Sequence, residues 1–440
     1  MKLGVINKLL CVAIAFILVM AGCGGKDSRD DGRTEVVFWH SLVSATQPAL
    51  AELITMFEEE HPHIRIRSQY VPGGDAIIQR LITAIQSRRA PDIAWIHSDY
   101  MQHMVEADAI YKMSTFIDED DDVTPDDIAD IYPPLIQEAS WRGTLYSMPM
   151  EATNLGLVYN VRLFREAGLD PDRPPQTWEE LAEYAKKMTI DKTGNGVNDQ
   201  IGFFVPILPS SGPLSSWMVW QWFPFLWQAG GYIIDEEQTR VMFNEEPGVQ
   251  ALTLWKELYD AMNLRRFSSD YEATFASGQT AMILDGPWSL PRHRNQRNLE
   301  WRVAPLPAGP QKKATVVGGE YLTIFKQSDV PDAAWEFVKW IIRPEVQAHW
   351  SMKSGYLPIR RSVLEIDEYM EFLSEHPGLK EYVMQLEFGQ SPRPIDFHGY
   401  EISRILAEAL ERATLGRMDP REALDQAAER SNQLLRSVSR

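Results

Sequence analysis

A regular alternation of strand and helix patterns over residues 35–96 most constrains what this chain can fold into. The apolar run Glu35–Trp39 predicts a buried strand, and apolar residues at helical spacing predict a helix over residues 48–60. Isoleucine then alternates with arginine over residues 64–67, as in a half-buried strand. A second helix pattern and the strand Pro91–Ile96 follow. This order predicts a mostly parallel sheet with helices on its faces.

The same alternation resumes beyond residue 150. Thr177, followed three residues later by Glu180, has the spacing of a capping box and predicts a helix start. Thr124-Pro125 predicts another helix start, and residues 400–436 hold at least two amphipathic helix patterns. A chain of 440 residues is long enough for two domains.

The N-terminus has the pattern of a secretory signal. Lys2 and Lys8 precede the uncharged stretch Leu9–Ala21, which is short for a membrane-spanning helix. The sequence ending at Cys23 resembles a bacterial lipobox, although Met20 stands where leucine is usual. A lipid on Cys23 is therefore expected. A plain signal peptide and an uncleaved membrane anchor are the alternatives.

This interpretation divides the first residues into a signal peptide over 1–22 and a flexible tether over 23–33. The only other cysteine, Cys11, lies inside the signal. The mature, exported chain is therefore expected to fold without disulfides.

The balance of charge is acidic, with 43 Lys and Arg against 62 Asp and Glu and a net charge of −19. Such a surface argues against nucleic acid or an anionic bilayer as a partner. The 14 tryptophans are more than a core of this size normally needs. Motifs of a nucleophilic serine, a phosphate loop or a histidine metal pair are absent from the sequence, and no cofactor is expected.

One loop has part of the pattern of a calcium site. Asp191, Thr193, Asn195 and Asp199 have the spacing of oxygen ligands around a central glycine, but the twelfth position is Gly202 instead of a glutamate. An Asn-Gly turn leading into a strand is the competing interpretation. We therefore predict no metal and keep this loop as a weak candidate.

Eight short strings occur in a fixed order along the chain: FWHS (38–41), PDIAWIHSD (91–99), MPMEATNLGLVYN (148–160), AGLDPDRPPQTWEELAEYAKK (167–187), AMILDGPWS (281–289), GGEYLTI (318–324), SGYLP (354–358) and GRMDPREALDQA (416–427). The series resembles the extracellular solute-binding proteins of bacterial ABC importers. The resemblance is to the sugar-binding group that contains maltose-binding and glycerol-3-phosphate-binding proteins.

The resemblance implies a two-lobed α/β fold with a ligand cleft between the lobes, closed by hinge motion. The implied limits are residues 34–149 and 321–380 for the N-lobe, and 150–320 and 381–440 for the C-lobe. The chain would cross the hinge near Met150–Leu155, near Gly318–Tyr321 and within 375–392.

The resemblance also implies the aromatic part of a sugar site. The apolar faces of a sugar lie well on aromatic rings, while its hydroxyls need donors and acceptors. Trp288 matches a ring that stacks beneath the sugar, and Trp217 and Trp220 match a tryptophan pair in the cleft. Tyr356 matches another cleft position, whereas a core role is the alternative for each ring.

Polar positions follow from the same comparison. Glu151 and Asp99 match sugar-binding carboxylates, and His40 ends the first strand, where ligand contacts are common. Glu320 and Gly319 lie at the second crossing and serve either the hinge or the ligand. Arg393 matches a basic or aromatic group of the cleft.

The choice of ligand is open between a neutral saccharide and glycerol-3-phosphate or a glycerophosphodiester. The Trp217/Trp220 pair favours the phosphate binder, whereas a charged Glu151 would repel a phosphate by about 1–4 kcal/mol. We therefore predict a sugar, captured by an exported, lipid-anchored monomer and delivered to an ABC permease. The less favoured alternatives are a glycosidase with Glu151 and Asp285 as its carboxyl pair, and an adhesin.

Overall fold

The computed structural model describes residues 32–72, 75–207, 215–263, 270–392 and 397–438. Its strands are β1 Thr34–His40, β2 Ile64–Tyr70, β3 Ile93–Ile96, β4 Ser140–Trp141, β5 Thr144–Leu145, β6 Met148–Asn154, β7 Gly156–Asn160, β8 Ile201–Phe203, β9 Thr280–Asp285, β10 Trp301–Ala304, β11 Thr315–Ile324 and β12 Gly389–Gln390.

The α-helices span Gln47–Glu60, Asp75–Gln86, Met101–Glu106, Ser114–Ile117, Pro125–Asp130, Pro133–Glu138, Val161–Glu166, Trp178–Lys187, Ser215–Gln228, Glu246–Met262, Tyr271–Ala276, Leu290–Arg294, Pro331–Ile341, Pro344–Ser354, Asp367–Glu375, Pro377–Gln385, Gly399–Thr414 and Pro420–Val438. Short 3-10 turns lie at Ser98–Tyr100, Pro287–Ser289, Arg361–Glu365 and Leu386–Phe388.

One six-stranded sheet organises the N-lobe. Its strand order is β12-β11-β3-β1-β2, and β6 also pairs with β11. The strands of the first strand–helix cycles, β1, β2 and β3, are parallel, as predicted. Strand β11 runs antiparallel to both β3 and β6.

A second, four-stranded sheet with the order β10-β7-β9-β8 organises the C-lobe. Only β8 and β9 are parallel here, whereas β7 runs antiparallel to β9 and to β10. A two-lobed α/β fold is thus present, but both sheets are mixed, and the expectation of mostly parallel pairing holds for β1–β3. A helix that crosses the sheet brings the chain back to the same end, so the strands it joins run parallel, as β1–β3 do, whereas strands joined by longer connections pair in either direction.

The chain passes between the sheets with almost no linker. Strand β6 lies in the N-lobe sheet, β7 lies in the C-lobe sheet, and only the buried Leu155 separates them. The domain limits expected after residues 149 and 320 fall inside β6 and β11. Those limits stay predictions.

Local sequence signals account for many element ends. Thr124 forms the full capping box with Asp127, and the Thr177 hydroxyl accepts the backbone N–H of Glu180. The helix predicted over residues 48–60 is Gln47–Glu60, whose buried face includes Leu50, Leu53 and Phe57.

The predicted signal peptide, Cys23 and most of the tether lie outside the described residues. Among the residues that the structure describes, no helix combines the length and apolar character needed to cross a membrane.

Candidate ligand-binding cleft

A cavity of about 440 Å³ lies between the two lobes. This volume is within the usual range of small-molecule sites. The N-lobe contributes Ser98, Met101, Gln102, Ile136, Gln137, Glu138, Ser140, Trp141, Arg142 and Gly143 to its lining. The C-lobe helices and their loops contribute Trp220, Phe223, Ile233, Gln238, Phe243, Gly399, Ile402, Ser403 and Leu406, and Pro392 completes the described lining.

The three tryptophans singled out from the sequence form one cluster beside this cavity. Trp217 and Trp220 stack with ring centroids 5.3 Å apart, one turn from each other on the helix Ser215–Gln228. Trp288 meets Trp217 edge-on at 5.5 Å and Trp220 at 6.0 Å. Only Trp220 belongs to the cavity lining, and its two partners fix the orientation of its ring.

The absence of a side chain at Gly286 leaves the space that the Trp288 ring occupies. The indole folds back over this glycine, and a Cβ there would stand 1.9 Å from the ring carbon Cζ3. The sequence Gly286-Pro287-Trp288 therefore sets the position of the ring as well as its presence, because no larger residue leaves room for it.

Glu151 lies on β6 and is fully buried. Its two carboxyl oxygens accept the indole N–H groups of Trp350, at 2.8 Å, and Trp95, at 3.4 Å. Strand pairing places Glu320 directly opposite. Burial, followed by the charge and hydrogen bond of Glu320, raises the pKa of the Glu151 carboxyl well above its usual range. The repulsion expected between Glu151 and a phosphate is thus weakened.

Tyr356 packs near this acidic pair. It is buried, with its ring stacked on Trp350 at 6.4 Å. Burial and the neighbouring Glu151 and Glu320 raise the pKa of its phenol well above the usual value, so the group stays a neutral hydroxyl. Glu151, Glu320 and Tyr356 are therefore together in the structure, although none of them lines the cavity described above.

Gly319 is required by the close approach of β11 and β6. A Cβ at Gly319 would lie 2.2 Å from the backbone oxygen of Glu151, which is far inside van der Waals contact. A Cβ at the neighbouring Gly318 would lie 3.5 Å from Nε1 of Trp220, an ordinary contact. The two adjacent glycines thus face different surroundings.

His40 ends β1 and is buried against the rings of Phe38 and Tyr70. Its Nδ1 atom meets no hydrogen-bond partner among the described residues. Burial lowers the pKa of the imidazole to about 4, so His40 is neutral at pH 7.

For the two remaining candidates, Asp99 and Arg393, the structure describes no side chain. Asp99 lies in the 3-10 turn Ser98–Tyr100 after β3, as expected, but its side chain is outside the described part. Arg393 lies outside the described residues altogether.

The calcium-like loop uses its carboxylates internally. Asp191 accepts backbone N–H groups from Thr193, Asn195 and Gly196, and Asp199 accepts those of Lys192 and Thr193. Across the described ranges, no group of three or more His, Cys, Asp or Glu side chains is placed to hold a metal ion.

Sequence reasoning missed Glu138, which ends the helix Pro133–Glu138 and lines the cavity. Its carboxyl group is buried and accepts hydroxyl groups from Tyr321 at 2.8 Å, Ser391 at 3.2 Å and Ser98 at 3.3 Å. Only its place beside the apolar Leu135 and Ile136 distinguishes it in the sequence, and that is a weak signal.

Sequence comparison decides the family. Residues 52–380 match the family described as bacterial extracellular solute-binding protein. The chain belongs to this family.

This solute-binding protein is similar in sequence to the sn-glycerol-3-phosphate-binding periplasmic protein UgpB of Pectobacterium atrosepticum. The two are 25% identical over 447 residues, covering 98% of this chain and 96% of the relative. Its fold is similar to that of the cyclic alpha-maltosyl-1,6-maltose binding protein of Arthrobacter globiformis, with a TM-score of 0.79 and 27% identity. That match covers 92% of this chain and 100% of the other.

The fold is also similar to that of UgpB from Mycobacterium tuberculosis, solved in complex with glycerophosphocholine. The TM-score is 0.78 at 21% identity, with 93% of this chain and 100% of the other covered. Sequence and structure thus agree on a two-lobed solute-binding protein.

The carboxyl pair of the glycosidase alternative is enclosed in this solute-binding protein. Asp285 is fully buried and held by Ser289 at 2.8 Å, His293 at 3.1 Å and Tyr271 at 3.3 Å. Glu151 is fully buried as well and lies on the sheet of the other lobe. In this arrangement neither carboxyl group lines the cavity.

Proposed function

We propose that this protein is the solute-capturing component of an ABC importer and that it binds a saccharide in the cavity between its lobes. The observation that carries the proposal is the lining of that cavity. Aromatic rings such as Trp141 and Trp220 stand beside hydroxyl and amide groups such as Ser98 and Gln137. Sugars need both kinds of surface at once.

The polar groups would select among sugars. A ligand hydroxyl left without a partner in such a site costs about 1–3 kcal/mol, so a mismatched sugar binds weakly. Rings fixed by neighbours, as Trp220 is by Trp217 and Trp288, lose little conformational freedom when a ligand stacks on them. Apart from Trp220, the positions implied by the family, such as Trp288, Tyr356 and Glu320, are outside the described lining of this cavity, and their contact with the ligand stays a prediction.

The proposal includes export and anchoring. In it, residues 1–22 are the signal, Cys23 carries the lipid and a single copy of the chain acts at the membrane surface. The pattern of the first 23 residues supports the signal and the lipid. Lobe closure by rigid-body motion about the β6–β7 and β11 crossings would bury the sugar and create the surface that a permease recognises.

Glycerol-3-phosphate or a glycerophosphodiester is the second candidate. The relatives named UgpB are sn-glycerol-3-phosphate-binding proteins, and Arg142 of this chain belongs to the cavity lining. The high pKa of Glu151 also weakens the electrostatic argument against a phosphate.

Titration calorimetry with the purified protein tests both candidates. Glucose, maltose, trehalose and short maltodextrins are compared with glycerol-3-phosphate and glycerophosphocholine. We expect saturable binding of a saccharide, weakened about 30-fold in Trp220→Ala because a stacked ring of the site is lost. Trp301→Ala, the same substitution at a half-buried position on β10 outside the cavity, is the matched control and should bind as the wild type does. Binding of the phosphate compounds alone would establish the second candidate, and no binding at all would overturn both.

A further inference from the structure

The two walls of the cavity differ in chemistry. On the N-lobe side, hydrogen-bonding side chains prevail, including Ser98, Gln102, Gln137, Glu138 and Arg142. On the C-lobe side, beyond Trp220, the wall is formed mainly by Phe223, Ile233, Phe243, Ile402 and Leu406. Gln238 and Ser403 are the polar side chains that the described part of this wall contributes. The cavity is therefore amphipathic across the cleft.

The apolar wall is built by three segments of the C-lobe. Ile402 and Leu406 are one turn apart on the helix Gly399–Thr414, and Phe223 comes from the helix Ser215–Gln228 packed against it. Ile233 and Phe243 come from the connection to the next helix. All five are at most 6% exposed, so they are fixed by the packing of the lobe.

A sugar without an apolar substituent gains little binding energy from an apolar wall of this kind. Its C–H faces are served by an aromatic ring, which Trp220 already provides, while its rim of hydroxyls needs polar partners all round. A hydroxyl turned toward isoleucine, leucine and phenylalanine side chains would lose its hydrogen bonds to water without replacement. An alkyl or aryl group in the same place would instead gain from leaving water.

We infer that the solute carries an apolar substituent, an alkyl or aryl group, that lies on the C-lobe wall while its hydroxyl-bearing part faces the N-lobe wall. The ligand class is thus a glycoside with an apolar aglycone. This inference rests on the proposed saccharide function and narrows it.

The test compares matched ligand pairs by calorimetry on the purified full-length protein in mild detergent. Methyl and butyl glycosides of glucose, galactose, mannose and maltose are titrated together with the parent sugars. Each buried methylene strengthens binding about fourfold, so a butyl glycoside should bind at least about tenfold more tightly than its methyl counterpart.

Substitutions in the C-lobe wall test whether that wall causes the tighter binding of butyl glycosides. Ile402→Thr should remove most of the butyl-over-methyl advantage, and Ile233→Thr, in a loop, repeats the test should the helix variant fail to fold. Ile190→Thr makes the same substitution at an exposed position outside the cavity and should leave the ratio unchanged. Gln137→Ala should weaken methyl and butyl glycosides equally, because it lies on the polar wall.

The possible outcomes distinguish a failure of this inference from a failure of the proposed saccharide function. If sugars or methyl glycosides bind and butyl glycosides bind no better, the inference is wrong and the saccharide function stands. A butyl advantage that survives both wall variants equally overturns it. If no sugar or glycoside binds, the saccharide function itself fails and this inference with it.

Discussion

At the scale of single residues, the surroundings of Glu151 change the pKa of its carboxyl group and should thereby change how the stability of the protein depends on pH. It is fully buried, faces Glu320 across two paired strands and has a raised pKa. A carboxyl group with a higher pKa in the folded than in the unfolded state favours folding at low pH. That contribution is fully present below about pH 4.5 and is lost as the pH rises toward the folded-state pKa.

Replacing Glu151 by glutamine should therefore change how stability depends on pH. Glutamine keeps an oxygen for the Trp350 indole and can donate to Glu320, but it does not ionise. We expect the free energy of unfolding of Glu151→Gln to exceed that of the wild type by at least about 1 kcal/mol at pH 8. The difference should vanish near pH 4.5.

Urea denaturation at several pH values measures this difference. Glu429→Gln, at an exposed position on the last helix, is the control and should follow the wild type. A constant difference between Glu151→Gln and the wild type across the pH range would contradict the raised pKa.

At the scale of elements, strands β11 and β6 approach each other closely at Gly319. Alanine substitutions at two adjacent glycines of β11 test this close approach. Gly319→Ala should cost at least about 2 kcal/mol, because its methyl group would collide with the rigid backbone of Glu151. Gly318→Ala should change stability by less than about 1 kcal/mol, because its surroundings leave an ordinary contact distance.

The chemical denaturation midpoints of Gly318→Ala and Gly319→Ala measure this difference in stability. Each variant serves as the control of the other, because the two substituted positions are adjacent on one strand. Equal losses would mean that general strand effects of glycine replacement, and not the approach of β6, set the cost.

The elements also show how far sequence reasoning reaches. Helices such as Gln47–Glu60 and caps such as Thr124 were predictable because their signals lie within a few residues. The order of strands around β11 was not, because pairing between distant segments leaves no local period. For the same reason, the lining of the cavity was the part least predictable from the sequence. Glu138, Gln137 and Trp141 line it from one lobe and Ile402 from the other, and no local sequence signal near these residues indicates that they come together.

At the scale of the whole molecule, several contacts join the lobes at one side of the cavity. Trp141 of the N-lobe hairpin meets the ring of Phe397 at 5.8 Å, and the Arg142 guanidinium lies over both rings at 5.7 and 5.3 Å. The amide oxygen of Gln102 accepts the backbone N–H of His398 at 2.9 Å. These contacts favour the arrangement in which the lobes are close.

Trp141→Ala should therefore shift the molecule without ligand toward a more open shape. We expect a larger radius of gyration by small-angle X-ray scattering, because the aromatic contact of Trp141 with Phe397 between the lobes is lost, and with it the ring that holds Arg142 from the N-lobe side. Arg165→Ala, which breaks the exposed ion pair with Glu300 inside the C-lobe, should leave the radius unchanged. An unchanged radius in Trp141→Ala would show that these contacts do not control the opening.

The late position of β11 in the chain has a consequence for how the molecule is made. During synthesis the ribosome releases β1, β2 and β3 long before β11, which lies beside β3 in the finished sheet. Until then the nascent N-lobe has a bare strand edge, a surface to which other chains readily add. A newborn chain of this topology thus completes its first lobe only after most of the second has been made, and until then that strand edge is open to pairing with other chains.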